Sequence, residues 1–303
     1  MLFLLCCTVF VEVFCACRSS GKSPAEQKAV KGAVMELPLP AVPDSISDPI
    51  GRADYVIYHF WDKMNFADTV MSLDTAFMEQ NFVNYIQLYD YASEKGRSEG
   101  TGRLMTKAKV SEPAYRFLVG IAEHYLLDPN SPMRNEEYFL PFIHEIVGNT
   151  IFSSAERMRY EYKETQIVKN RPGTRAADFR YITREGKKGT LHSTEANRLL
   201  LIFYDPDCEN CSRIIGELRQ DGDLLNAVAT GEMTVLAVYT EGNRKLWDKT
   251  KSDMPAEWIV AIDDSGITEN EIYHLPAMPV LYLLDADKKV IRKDFLPGGN
   301  QGT

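Results

Sequence analysis

Cysteine is scarce in this chain and unevenly placed: of six, Cys6, Cys7, Cys15 and Cys17 fall within the first 17 residues, leaving only Cys208 and Cys211 for the rest. No second Cys-x-x-Cys exists, and none of the five histidines stands at ligand spacing from the pair. The further ligands of a zinc site are therefore missing, and no metal is expected. Positive charge is also in deficit, with 34 Lys and Arg against 43 Asp and Glu for a formal charge of -9. Phosphate binding needs clustered Lys and Arg, so a nucleic-acid partner is excluded. The longest apolar stretch, "MLFLLCCTVFVEVFCAC", contains Glu12 and falls short of the roughly 20 residues of a comfortable bilayer span. With 45% hydrophobic and 25% charged residues over 303 positions, the composition is that of a globular protein of one large or two ordinary domains.

An apolar core of this length followed at once by the polar "RSSGKS" reads as a secretory signal. Its end, Phe14-Cys15-Ala16-Cys17, resembles a bacterial lipoprotein signal, in which a small residue precedes the cysteine that is cut and acylated. Phe14 stands where leucine is usual, and no Lys or Arg precedes the core. The resemblance implies a signal peptide over 1–16, lipidation at Cys17, and a protein anchored in the cell envelope facing the periplasm. Residues 17–50 carry Pro24, Pro38, Pro40, Pro43 and Pro49 with little periodicity, which reads as an extended tether.

From Gly51 the pattern becomes helical. Phe82, Tyr85, Ile86 and Tyr89 fall at i, i+3, i+4, i+7, as do Leu118, Ile121, Ala122 and Tyr125, and Phe139, Phe142, Ile143 and Ile146. Helix starts are expected near Arg52, at Ser111 with Pro113 in the first turn, and near Ser153, with a stop at Asp128-Pro129-Asn130. The segment 51–168 thus reads as an all-α domain of five or six helices. Its many aromatics, as in "YVIYHFW" at 55–61, could line a groove for an extended partner, but aromatics at helical spacing more often form core. His59, His124 and His144 are in the same way expected to be packed or surface residues rather than catalysts. Arg171-Pro172-Gly173 then breaks the helix. Beyond it the apolar runs become short and continuous, Leu199 to Phe203, Met233 to Val238 and Val280 to Leu284, which suits strands buried on both faces of a sheet. The segment 169–303 is expected to be α/β.

Cys208 and Cys211 flank Glu209 and Asn210 where the first of these strands passes through "DPD" into a helical pattern. Cys208 would sit at a helix N-terminus, where free N–H groups and the dipole favour a thiolate. Cys211, one turn deeper, could attack a mixed disulfide formed at Cys208. Two readings stay open: a working redox pair, or a structural bridge, which gains little by closing so short a loop. Peroxide reduction is disfavoured, since "FYDPDC" lacks the Pro/Thr-rich pattern of peroxidatic sites.

Residues 170–295 resemble the thioredoxin superfamily, and within it the membrane-tethered TlpA/ResA-like thiol-disulfide oxidoreductases. "PGTRAADFRYITREGKKGTL" is similar to the lead-in hairpin, "LLLIFYDPDCENC" to the active-site strand and motif, and "LPAMPVLYLLDADKKVI" to the proline loop and last two strands. "RADYVIYHFWDKMNFAD" and "EQNFVNYI" resemble an uncharacterised helical domain found ahead of such modules, which implies no known activity. The resemblance implies a mixed central sheet, Cys208 as attacking nucleophile, Cys211 as resolving thiol, and Pro279 as the cis-proline. Met278 would then present its backbone to an extended substrate strand. Pro276 competes for the cis position, but the strand starts at Val280, directly after Pro279. It also implies that exported proteins with disulfides are the partners, that a membrane thiol transporter donates electrons, and that no cofactor is required.

Three departures matter. Ile202 stands where thioredoxins often keep a buried acid, so a water or another carboxylate must take the proton of the second thiol. Asn210 replaces a common proline. Little chain remains after the last strand for the usual C-terminal helix, so the helical domain is a candidate cover for one sheet face. Asp205, Asp207 and Glu209 crowd Cys208, and disfavouring a thiolate removes what makes strong oxidants oxidising, so the pair is expected to reduce its substrates. The alternative is a non-catalytic scaffold lipoprotein with a structural disulfide on a thioredoxin-like platform.

Overall fold

Short polar residues start each helix of the first half. The computed structural model describes residues 36–293 and 295. Helices α1 (Pro49–His59), α2 (Thr69–Ser72), α3 (Thr75–Gln87), α4 (Glu94–Ala108), α5 (Glu112–Leu127), α6 (Glu136–Val147) and α7 (Ser154–Ile167) follow one another. Asp48, Asp68, Asp74, Ser93, Ser111, Asn135 and Ser153 each accept a hydrogen bond from a first-turn N–H, satisfying donors that the helix itself leaves unpaired. Six of the seven are longer than ten residues, and α2 is a single turn. The signals at Ser111 and Ser153 mark true starts, whereas the first helix begins at Pro49 rather than near Arg52.

The periodic positions named above turn inward. Phe82, Tyr85, Tyr89, Leu118, Ile121, Ala122 and the four from α6 are buried in one core, with Tyr125 packed at its edge. Ile57, Phe60 and Trp61 from the aromatic stretch join them, while Tyr58 is 39% exposed beneath the Arg103 guanidinium. Helix α1 lies close on α4 because Gly96 and Gly100 carry no side chain there. A Cβ at Gly100 would stand 2.2 Å from Ile57 Cγ2. Gly100→Ala is therefore expected to destabilise by about 1–2 kcal/mol in a denaturant titration, overpacking outweighing the roughly 1 kcal/mol that Ala gains in a helix. A more stable variant would contradict this packing. Leu37, in the segment read as tether, donates its N–H to Asn81 Oδ1 at 2.7 Å and packs on the same core.

The second half is a seven-stranded mixed sheet: β1 (Arg180–Thr183), β2 (Lys188–Thr190), β3 (Arg198–Tyr204), β4 (Met233–Tyr239), β5 (Ile259–Asp263), β6 (Val280–Asp285) and β7 (Val290–Lys293), in the order β2-β1-β5-β4-β3-β6-β7. Strands β3, β4 and β5 are parallel, and β6 runs antiparallel to β3. Both faces are covered, which is why the apolar runs are continuous rather than alternating. On one face α8 (Glu209–Leu218) and α10 (Arg244–Thr250) bury Ile202, Tyr204, Leu281 and Trp247, with α9 (Gly222–Ala229) alongside. The other face is covered by Phe179, Leu191, Ile267 and Tyr273 from the lead-in segment and the loop before β6. The helical domain is not that cover, contrary to expectation: its core is separate, and charged groups join the two halves. Glu136 meets His274 Nε2 at 3.2 Å and Lys293 Nζ at 3.1 Å, Arg171 pairs with Glu137, and Glu271 accepts from Tyr162, Gln166 and Lys169.

Candidate active site

Strand β3 is buried at the centre of the sheet, and its C-terminal end delivers Asp205, Pro206 and Asp207 to the start of α8. Cys208 is the N-cap residue of that helix, with extended backbone (φ -85°, ψ 117°). Its Sγ accepts the Cys211 N–H at 3.2 Å, so the sulfur occupies the place that a Ser or Asp oxygen takes at other helix starts. The same Sγ lies 3.5 Å from the Met278 carbonyl oxygen, toward which its S–H is directed. Cys208 is half-buried and both thiols are free.

Cys211 is only 1% exposed and packs with Ile202, Ile214 and Ile215. Its Sγ accepts the Asp205 N–H at 3.5 Å. Burial pushes the Cys211 thiol well above its ordinary range; the Asp205 N–H opposes this, and Cys208 and the Asp205 carboxylate add to it. At neutral pH Cys211 is thus a thiol that must lose its proton before it can act as a nucleophile.

The loop leading to β6 brings Met278 and Pro279 opposite Cys208, and the Met278–Pro279 bond is cis. The Met278 carbonyl takes a second hydrogen bond, from Asn210 Nδ2 at 3.3 Å. Arg213 Nη2 donates to Asn210 Oδ1 at 2.8 Å, and Arg213 Nη1 reaches Glu217 at 2.6 Å, which fixes which end of the Asn210 amide faces Met278. Asn210 therefore ties the helix start to the loop before β6. In the sequence Asn210 shows only as a departure from proline, and its position between the two cysteines is the available signal.

Of the residues singled out from sequence, Cys208, Cys211, Met278 and Pro279 come together, and Cys17 lies outside the described residues. Asp207 and Glu209 are exposed, while Asp205 is half-buried and its Oδ1 accepts the Asp207 N–H at 3.0 Å. The histidines stand apart from the pair: His59 bonds Asp62, His144 bonds Glu164, His192 bonds the Ala176 carbonyl and His274 bonds Glu136. Among the described residues no group of three His, Cys, Asp or Glu side chains could hold a metal ion, and no helix is long and apolar enough to cross a membrane.

The family model described as "Domain of unknown function (DUF5106)" matches residues 16–170. The crystal structure of a thioredoxin-like protein from Bacteroides caccae superimposes with a TM-score of 0.77 at 32% identity, over 86% of this chain and 95% of that one. A conserved protein from Bacteroides fragilis is 36% identical over 42% of this chain and 93% of its own, with a TM-score of 0.41. A domain of a possible thiol-disulfide isomerase from Cytophaga hutchinsonii is 27% identical over 42% of this chain and 85% of its own, with a TM-score of 0.37. No curated protein matches the chain.

Proposed function

We propose that this chain, which belongs to the DUF5106 family and to the thioredoxin superfamily, works as a thiol-disulfide oxidoreductase that reduces disulfides in exported proteins. The observation that carries the reading is the placement of Cys208 Sγ: at the N-cap of α8, taking the Cys211 N–H, and 3.5 Å from the Met278 carbonyl. A helix start favours negative sulfur, and an extended substrate beside Met278 would lie next to the attacking atom. Attack by Cys208 on a substrate disulfide forms a mixed disulfide and releases one substrate thiol. Cys211 then attacks Cys208, releases the second substrate thiol and leaves an intramolecular disulfide.

The same proposal includes anchoring by a lipid on Cys17, a periplasm-facing position in the cell envelope, and a membrane thiol transporter that restores the dithiol. A permanently bridged scaffold has no evident use for a sulfur aimed at a substrate-facing carbonyl. The test is insulin reduction under a slow thiol reductant, comparing the protein with a sample whose cysteines have been alkylated. Acceleration by the first and not by the second is expected; equal rates would leave the scaffold reading. Equilibration with glutathione should give a reduction potential more negative than about -210 mV, and a value at or above that would overturn the reducing direction.

A further inference from the structure

The resolving step needs a base, and the strand beneath the pair offers none. Ile202, on the face of β3 that packs against Cys211, is apolar and fully buried. Cys211 also borders a cavity of about 200 Å³, lined as well by Tyr204, Asp205, Ser212, Arg219 and Asp253. One water takes up roughly 30 Å³ of liquid, so the space accommodates several. Tyr204 is 2% exposed, and its hydroxyl has no hydrogen-bond partner of good geometry, although the equally unpartnered Trp247 indole N–H lies close by. A buried hydroxyl at the wall of a cavity that also holds polar and charged groups is normally satisfied by ordered water. Asp205 shares that wall, and its own N–H already holds Cys211 Sγ at 3.5 Å.

We propose that water held by the Tyr204 hydroxyl carries the Cys211 proton to the Asp205 carboxylate, which makes Asp205 the proton acceptor of the resolving step. The inference rests on the redox function proposed above. The Cys211 S–H bond breaks and its proton passes through water to Asp205. The electron pair left on Cys211 forms the bond to Cys208 Sγ as the bond between Cys208 and the substrate sulfur breaks. The substrate sulfur leaves with the electron pair of that broken bond and takes a proton from Asp205 or solvent. Two cysteine thiols are thereby oxidised to a disulfide, and the substrate disulfide is reduced to two thiols. Arg219 and Asp253 are the other charged groups lining the cavity; Arg219 donates to the Asp253 carbonyl, and the Asp253 side chain is exposed.

The experiment is a single turnover of the reduced full chain with a fluorescent peptide disulfide, resolving formation of the mixed disulfide from its release. Asp205→Asn should slow release by about tenfold to a hundredfold while formation stays within about threefold of wild type. Asp205→Glu should restore release to within about threefold, and Tyr204→Phe should slow it by roughly tenfold. Asp253→Asn should change neither step. Release at the wild-type rate in Asp205→Asn, equal slowing of both steps, or no rescue by Asp205→Glu would overturn the assignment. A wild-type protein that forms no mixed disulfide at all would overturn the redox reading itself, and the proton route with it.

Discussion

Glu136→Gln is expected to lower stability by about 3–5 kcal/mol, the loss typical when one partner of a buried ion pair is removed and the other stays behind uncompensated. Glu136 opens α6 and is 7% exposed, and the Lys293 side chain facing it is 4% exposed. Burial by itself would push the Glu136 carboxyl up. The His274 hydrogen bond and the charges of Lys293, His274 and Arg134 outweigh it and hold the group at about 2. Lys293 Nζ also donates to the Ile167 carbonyl at 2.7 Å and the Lys169 carbonyl at 3.2 Å, so the neutral amide leaves a buried ammonium with carbonyls alone. For a chain of this size the loss corresponds to a melting temperature roughly 10 °C lower.

A pH dependence follows with a definite sign. The folded carboxyl titrates near 2 and the unfolded one near the ordinary value of 4.5. Its contribution, roughly 3 kcal/mol by linkage, is complete well above 4.5 and is lost as pH falls from there toward 2. Chemical unfolding followed from pH 7 to pH 3 should show this component in the wild type and not in Glu136→Gln. Adding Lys293→Met to Glu136→Gln removes both charges and should recover part of the loss, because replacing a buried pair costs less than breaking it. A double variant no more stable than the single one would show that the pair is not what binds these groups. His274 lies four residues before Met278, so the same cluster holds the base of the loop that faces Cys208.

The division into a helical and a mixed α/β part was legible because period and burial leave direct marks on sequence. A helix with one buried face repeats its apolar residues, as at Phe82 to Tyr89, and a strand buried on both faces gives the unbroken run at Leu199 to Phe203. The pair at Cys208 and Cys211 was legible because its spacing and its place between strand and helix are local. Contacts between distant residues were not. Glu136, His274 and Lys293 are each unremarkable alone and meet only in the fold. Strand β5, "IVAID", is too short to stand out, and the cover of the second face comes from Phe179, Ile267 and Tyr273 in stretches without a regular period. The tie from Asn210 to Met278 spans 68 positions and shows no periodicity either.

The largest chemical effect is expected from Cys211→Ser. Cys208 remains half-buried at the start of α8, and on the proposed function it still attacks a foreign disulfide while serine cannot release the product, so the covalent adduct should accumulate. In Cys208→Ser the remaining thiol is 1% exposed, raised by burial and shielded from a bulky substrate, so no adduct should form. The deciding measurement is intact-protein mass spectrometry of both reduced variants after incubation with insulin and an alkylating quench, with peptide mapping of the linked cysteine. The account predicts most of the Cys211→Ser protein joined to an insulin chain through Cys208, and none of the Cys208→Ser protein so joined. Adducts on Cys211 in the absence of Cys208, or no adduct in either variant, would contradict it.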